Sequence, residues 1–378
     1  MSFFTASCNF ETKLVIAFLD SKIGLNPAKL KQILALYENL EVAIEDNFGL
    51  LRQKNPKWLT KWTPNVNLQS EIDKIKTRLE KEKIEIVSSL CDNYPTTLRV
   101  LEDYPTVLYY QGNLDLVQNS QMLTVVGSRS FTKYAEILLQ KILEPVCALG
   151  VGVVSGLAFG TDAASHQIAL TKNAPNIGVI GSGLDEKSFY PKANWNLKKQ
   201  ILNQEKLGIQ NGLVLSQYAP GMSANIYTFP QRNRLLAALT DLTWVVEAGQ
   251  KSGSLITALK ARDLGKTVAT TPGSVLEESL AGNIQLLKDG ASIISQSEDI
   301  LTLLCLKSFP QIMPKETIQF GSPQEEKIYQ NLTLSPQETL ILADKVVMNM
   351  GELSGHLTML EISGLAINLG ENNWIRGG

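Results

Sequence analysis

The feature that most constrains this chain is a series of short apolar runs, most of them separated by helical patterns, across its middle. Leu123–Val126, Gly152–Ser155, Ile177–Ile180, Leu213–Ser216, Leu242–Glu247, Thr267–Thr270 and Ser292–Ile294 are too uniformly apolar to have a wet face. Strands of that kind lie in a parallel sheet covered by helices on both sides. The sequence therefore predicts an α/β fold, a doubly wound parallel sheet from about Gln121 to Leu306. In such a sheet the turns at the carboxyl ends of the strands gather into a ligand crevice.

A chain of 378 residues suits two or three domains, so the sheet is expected to have smaller neighbours. Residues 1–90 read as helical, with Leu30, Ile33, Leu34, Leu36 and Tyr37 at helical spacing and mixed charges from Glu71 to Glu85 like a solvated helix face. Trp58 and Trp62 lie four apart, which suits a small helical core better than a base-stacking ledge. Prolines and aromatics around Val107–Tyr110 suggest a strand that docks on the sheet and opens a domain over 91–306. Pro310 and Pro314 mark a linker over 307–321. Beyond it, Ser322-Pro323-Gln324-Glu325 and Ser335-Pro336-Gln337-Glu338 read as two capping boxes that start helices. A third helix over Gly351–Ile362 and a hairpin through Leu365–Leu369 and Trp374-Ile375 complete a winged-helix pattern over 322–378. Its would-be recognition helix carries Glu352, His356 and Glu361 but no Lys or Arg, so it reads as a docking module more than as a groove reader.

Composition narrows the chemistry. Hydrophobic residues make up 44% and charged residues 19%, and no apolar run approaches the roughly 18 residues needed to span a bilayer. The start, Met1-Ser2-Phe3-Phe4-Thr5, lacks the build of a signal peptide, so a cytoplasmic protein without a membrane partner is expected. Cys8, Cys91, Cys147 and Cys305 form no C-x-x-C pair and read as reduced residues in apolar surroundings. With only His166 and His356, neither a metal centre nor a histidine triad is expected. A net charge of −2 means that any nucleic acid must meet positive charge concentrated in one groove.

Four strand-end turns carry suitable groups. Gly127-Ser128-Arg129-Ser130 offers close backbone approach, a hydroxyl and a guanidinium fork. Ser155-Gly156-Leu157-Ala158-Phe159-Gly160 turns into a helix that Thr161 or Asp162 could cap, and His166 reads as a hydrogen-bonded helix residue. Phe229-Pro230-Gln231-Arg232-Asn233-Arg234 places two arginines at a helix start, about 200° apart on an ideal helix, so ordinarily at most one faces inward. Structurally, one of them could simply pair with Glu247. Lys251-Ser252-Gly253-Ser254 opens a helix with free N–H groups, a setting that favours phosphate. Gly181-Ser182-Gly183 has Glu186 where the dinucleotide fingerprint needs glycine, and there is no P-loop, so no cofactor is expected.

These pieces, together with Tyr109-Tyr110-Gln111-Gly112-Asn113, Glu247-Ala248, Leu255-Ile256-Thr257-Ala258 and Pro272-Gly273, stand in an order and spacing that resemble the DNA-processing protein A (DprA, also called Smf) family. The resemblance spans roughly Tyr94 to the end and is weaker in the helical start, which would be SAM- or HhH-like. It implies an extended Rossmann-like domain that binds single-stranded DNA as a homodimer without catalysis. It further implies protection of incoming strands and help in loading the RecA recombinase during natural transformation. By that resemblance the DNA pocket would draw on Gly127, Ser128, Arg129, Ser155, Gly156, Ala158, Gly160, Arg232, Asn233, Arg234, Ser252, Gly253 and Ser254. The chain departs from the family at Thr161, usually Ile, where a change in packing alone is expected. It departs again at Gln217, usually Glu, where a carboxylate near the crevice is lost. A competing reading, a nucleotide hydrolase like the lysine-decarboxylase-like phosphoribohydrolases, needs a Pro-Gly-Gly-x-Gly-Thr motif where this chain has Pro272-Gly273-Ser274-Val275.

Overall fold

The computed structural model of the protein describes residues 8–54, 56–63, 67–118, 121–206, 208–306, 320–333, 335–370 and 372–377. The chain forms two compact units, Met1–Lys307 and Ser308–Gly378.

In the first unit the strands are β1 Glu85–Ser88, β2 Val107–Gly112, β3 Met122–Val126, β4 Gly152–Ser155 and β5 Asn176–Ile180. A short hairpin follows, β6 Glu205–Lys206 with β7 Ile209–Gln210, and then β8 Gly212–Ser216, β9 Leu242–Val245, β10 Thr267–Thr270 and β11 Ser292–Ile293. All but the hairpin join one sheet in the order β1-β2-β8-β5-β4-β3-β9-β10-β11. From β8 to β11 every pairing is parallel, while β2 runs antiparallel to β8 and β1 antiparallel to β2. Strands β3, β4, β5, β8 and β9 are buried at every residue, as an apolar run covered on both faces must be. The chain winds outward from β3 through β4, β5 and β8, then returns to β9 on the other side. The order reverses between β3 and β9, the place where such folds open a crevice.

The helical start is punctuated by asparagine. Asn9, Asn26, Asn39 and Asn67 each accept a hydrogen bond from the backbone N–H three residues on, and so open the helices Phe10–Ile23, Pro27–Leu34, Leu40–Glu45 and Leu68–Glu82. Phe10–Ile23 runs through the middle of this layer, buried from Leu14 to Leu19, and Trp62 packs edge-on against Phe18 and Phe48. Both tryptophans thus serve structure: Trp58 donates to Gln32 rather than offering a stacking ledge. The boundary expected near residue 90 falls inside the first unit. Leu14–Leu19 share one core with Val107, Tyr109, Ile180 and Val214, and β1 already belongs to the sheet.

The cysteine reading needs correction. Cys8 and Cys91 form a disulfide, with Cα atoms 5.1 Å apart, while Cys147 is buried and free and Cys305 is exposed and free. A separation of 83 residues hides such a pair from local spacing.

The second unit runs helix Pro323–Asn331, β12 Gln337–Glu338, helix Thr339–Val346, helix Met350–Ile362, and the hairpin β13 Ala366–Gly370 and β14 Asn373–Arg376. Its three strands pair in the order β12-β14-β13 over a core of Ile328, Leu342, Val346, Leu353, Leu357, Leu360 and Trp374. Ser322 caps the first helix as expected, its side chain accepting from Glu325 N–H. The second expected capping box does not form. Gln337 and Glu338 pair with β14 instead, and the helix begins only at Thr339. Residues 307–319 of the expected linker lie outside the described residues. No described helix is long and apolar enough to cross a membrane.

Candidate functional site

At the switch point the turns after β3, β4 and β9 meet the first turns of helix Thr228–Leu239 and enclose a pocket of about 490 Å³. Gly127, Ser128 and Arg129 form one wall, and Ala158 with Asp162 a second. Phe229, Arg232 and Asn233 form a third, with Lys251, Ser252, Gly253 and Ser254 opposite.

Glycine is needed where these walls touch. A Cβ on Gly127 would overlap the Thr161 side chain. At Gly160, with φ +72°, a Cβ would overlap the carbonyl oxygens of Ser128 and Arg129. The β3 and β4 turns are stitched together here, since Thr161 donates from both N–H and hydroxyl to Ser128 O, at 3.1 and 3.2 Å. Thr161 is therefore more than a packing change. The Ser128 N–H donates to Glu247 O at 2.8 Å, and its hydroxyl closes a local turn with Ser130.

Beneath the pocket floor lies a buried charge pair. Arg232 is 4% exposed and donates from Nη1 to the carbonyl oxygens of Gly156 and Val179. Asp162, 6% exposed, accepts from Gly156 N–H and Ala158 N–H at 3.1 and 3.3 Å, so it ties down the turn rather than capping its helix. Burial pulls the Arg232 guanidinium below its ordinary value and pushes the Asp162 carboxyl above its own, and each charge opposes the shift of the other. The nearby Arg129 charge adds to the lowering of Arg232, and both residues line the same pocket. The Arg129 side chain is exposed, with its guanidinium 5.1 Å from the centre of the half-buried Phe229 ring.

Helix Gly253–Asp263 is capped by Ser252 and presents its first-turn residues Gly253 and Ser254 to the pocket. Helix Thr228–Leu239 also begins there, with Phe229 and Pro230 in its first turn. Two positive helix ends thus reinforce the guanidinium charge. Among the described residues no group of His, Cys, Asp and Glu side chains could hold a metal ion.

The expected residues separate into three groups. Gly127, Ser128, Arg129, Ala158, Arg232, Asn233, Ser252, Gly253 and Ser254 line the pocket. Ser155, Gly156 and Gly160 act from behind or beside it, Ser155 being fully buried with its hydroxyl on Val125 O. Arg234 is not brought to the pocket. It lies in a separate hollow, donating to Asp103 at 2.9 and 3.1 Å and to Gln217 Oε1 at 2.9 Å. The arginines also stand in the second turn of their helix, which starts earlier than expected, at Thr228. Neither arginine pairs with Glu247, whose carboxylate accepts from Thr132 N–H and hydroxyl. His166 is hydrogen-bonded to Asn176 at 2.6 Å, as a helix residue should be. Lys251, exposed on the rim, was absent from the expected set although it directly precedes the Ser252 cap.

In a doubly wound α/β sheet the ligand crevice opens at the switch point, which is where this pocket lies. Comparison with known proteins gives the family. The family model for DNA recombination-mediator protein A matches residues 85–305, and the chain belongs to that family. DNA processing protein DprA of Streptococcus pneumoniae is 35% identical over 282 residues, covering 74% of this chain and 94% of that protein. Protein Smf of Escherichia coli is 27% identical over 344 residues, covering 90% and 84%. The solved structure of the Streptococcus pneumoniae protein is similar at TM-score 0.55 and 37% identity, over 62% of this chain and 80% of that one. A structure of DNA processing protein A from Helicobacter pylori, reported for its single-stranded DNA binding mode, matches at TM-score 0.51 and 29% identity, over 59% and 96%.

Proposed function

We propose that this protein is a recombination mediator that grips the backbone of single-stranded DNA in the switch-point pocket. It protects incoming strands and helps to load the RecA recombinase during natural transformation, acting as a cytoplasmic homodimer and not as an enzyme. One observation carries the reading: the exposed Arg129 and the buried Arg232 line one pocket edged by two helix N-termini, a concentration of positive charge that an anion answers. Arg129, Lys251 and the first-turn amide of Gly253 reach the phosphates, while Phe229 supplies a ring face for a base. The pocket meets a sugar-phosphate chain with charge and amides and reads no base edge, so binding is tolerant of sequence. The Helicobacter pylori relative supports a single-stranded ligand. In the second unit, the order helix, strand, helix, helix, hairpin supports a winged helix that serves as an accessory docking module.

The test is fluorescence anisotropy with a single-stranded oligonucleotide and a duplex of equal length over a salt series. Single strands should bind better, and Arg129→Ala should weaken them about tenfold and flatten the log–log salt slope by about 0.7, the value for one phosphate contact. Unchanged affinity in the variant removes the pocket from the account.

A further inference from the structure

The switch-point pocket occupies only part of the carboxyl rim of the sheet. Further along, the turns after β5 and β8 face helix Leu68–Glu82 across a wider groove of about 950 Å³. Lys74, Arg78 and Lys81 line it from the helix, at spacings of four and three that place them on one face, and Lys187 lines it from the β5 turn. Arg78, Lys81 and Lys187 are exposed. Among the described residues only Lys74 of these four is in an ion pair, with Glu71 at 2.6 Å, and Glu71 is shared with Lys22 at 2.9 Å.

Three carboxylates, Asp73, Glu82 and Asp185, border the same groove, yet among the described residues none forms an ion pair with Arg78, Lys81 or Lys187. Asp185 is buried and accepts from the Ser188 hydroxyl and from the Gly221 N–H, which orient its carboxylate toward its own turn. Asp73 accepts from Gln69, and Glu82 also borders the groove. Arg78 is held in place by its Nη1, which donates to Pro220 O at 2.9 Å. Gly221, with φ +90°, leaves room for that guanidinium: a Cβ there would stand 3.1 Å from Arg78 Nη1.

A chain of ring contacts leads from the pocket to the turn that carries Lys187. The Arg129 guanidinium lies over Phe229, and the Phe229 ring is 5.7 Å from that of Tyr190, which is 43% exposed. Tyr190 follows Lys187 by three residues in the same turn. Strands β3 and β5 are two spacings apart, about 10 Å, so the two sites are within reach of one strand of a few nucleotides. Cations at both ends with aromatic faces between them match the alternation of phosphate and base in an unpaired strand.

The geometry points to a second phosphate-binding segment for single-stranded nucleic acid, formed by Arg78, Lys81 and Lys187, which extends the track of the pocket along the sheet rim. This rests on the pocket reading above. The experiment compares the full chain with two double variants, Lys81→Glu with Lys187→Glu and Lys81→Gln with Lys187→Gln. Each is titrated with oligothymidylates of about six and about 20 nucleotides over a salt series. The longer oligonucleotide should lose about tenfold or more in affinity, and its salt slope should fall by about 1.4 for two lost contacts, while the shorter one binds as before. The glutamine pair should give the same slope change, which separates loss of charge from misfolding caused by reversal. If both variants bind the longer oligonucleotide as the parent does, the groove is not part of the track. If Arg129→Ala leaves both lengths unaffected while the double variants lose the longer one, the pocket reading fails and the groove stands alone. If the parent binds neither length, both are overturned.

Discussion

Arg232 lies directly behind Gly156: its guanidinium donates to the Gly156 carbonyl, and a Cβ on that glycine would overlap both Arg232 and Asp162. The buried cation is therefore a fixed part of the pocket floor, held by the Gly156 turn and by Val179 of β5 and neutralised in part by the carboxylate that shapes that turn.

Breaking this pair should cost stability before it costs binding. Arg232→Met leaves the buried Asp162 carboxylate without a counter-charge, and urea unfolding should show a loss of about 3–5 kcal/mol. Adding Asp162→Asn should restore part of it, because the isolated charge is then gone. Gly156→Ala should cost about 1–3 kcal/mol through overpacking. If Arg232→Met is as stable as the parent, the arginine is not held as described.

Arg234 makes the opposite case. Its partners are Asp103 and Gln217, in a hollow away from the pocket. Arg234→Ala should leave single-stranded DNA affinity within about twofold, as for a site with no shared partner. The Gln217 side chain accepts from the guanidinium, and a carboxylate there would add charge to that bond, so Gln217→Glu should raise stability without changing DNA affinity. A tenfold loss of binding in Arg234→Ala would return this residue to the pocket.

Much of this layout was legible before any coordinates, and its failures have physical causes. The apolar runs announced the sheet because a strand covered on both faces has no polar alternation to confuse it. Turns at strand ends then located Gly127-Ser128-Arg129 and Ser252-Gly253-Ser254 without further help. The helical period separated Arg232 from Arg234. What it could not reveal is that Arg232 is spent on carbonyls 76 and 53 residues away in sequence, so the buried one of the two is the floor and not the fork. The Cys8–Cys91 pair was hidden for the same reason. Ser335-Pro336-Gln337-Glu338 has the composition of a helix start, yet pairing with β14 claimed its last two residues.

His166 makes folding sensitive to acid. Burial holds its imidazole down to about 4 from an ordinary 6.5. The unfolded chain takes up a proton below 6.5 and the folded one refuses it until about 4, so stability is complete above 6.5 and falls across that window. The fall should approach about 3 kcal/mol. His166→Gln, which keeps a partner for Asn176 but cannot titrate, should remove this part of the pH dependence of urea unfolding.

The most direct measurement of the central claim is hydrogen–deuterium exchange with and without a single-stranded oligonucleotide. Binding in the switch-point pocket predicts that amides of residues 127–131 and 251–257 exchange more slowly in the complex, with the change lost in Arg129→Ala. Protection confined to residues 320–377, with the sheet rim untouched, would contradict it.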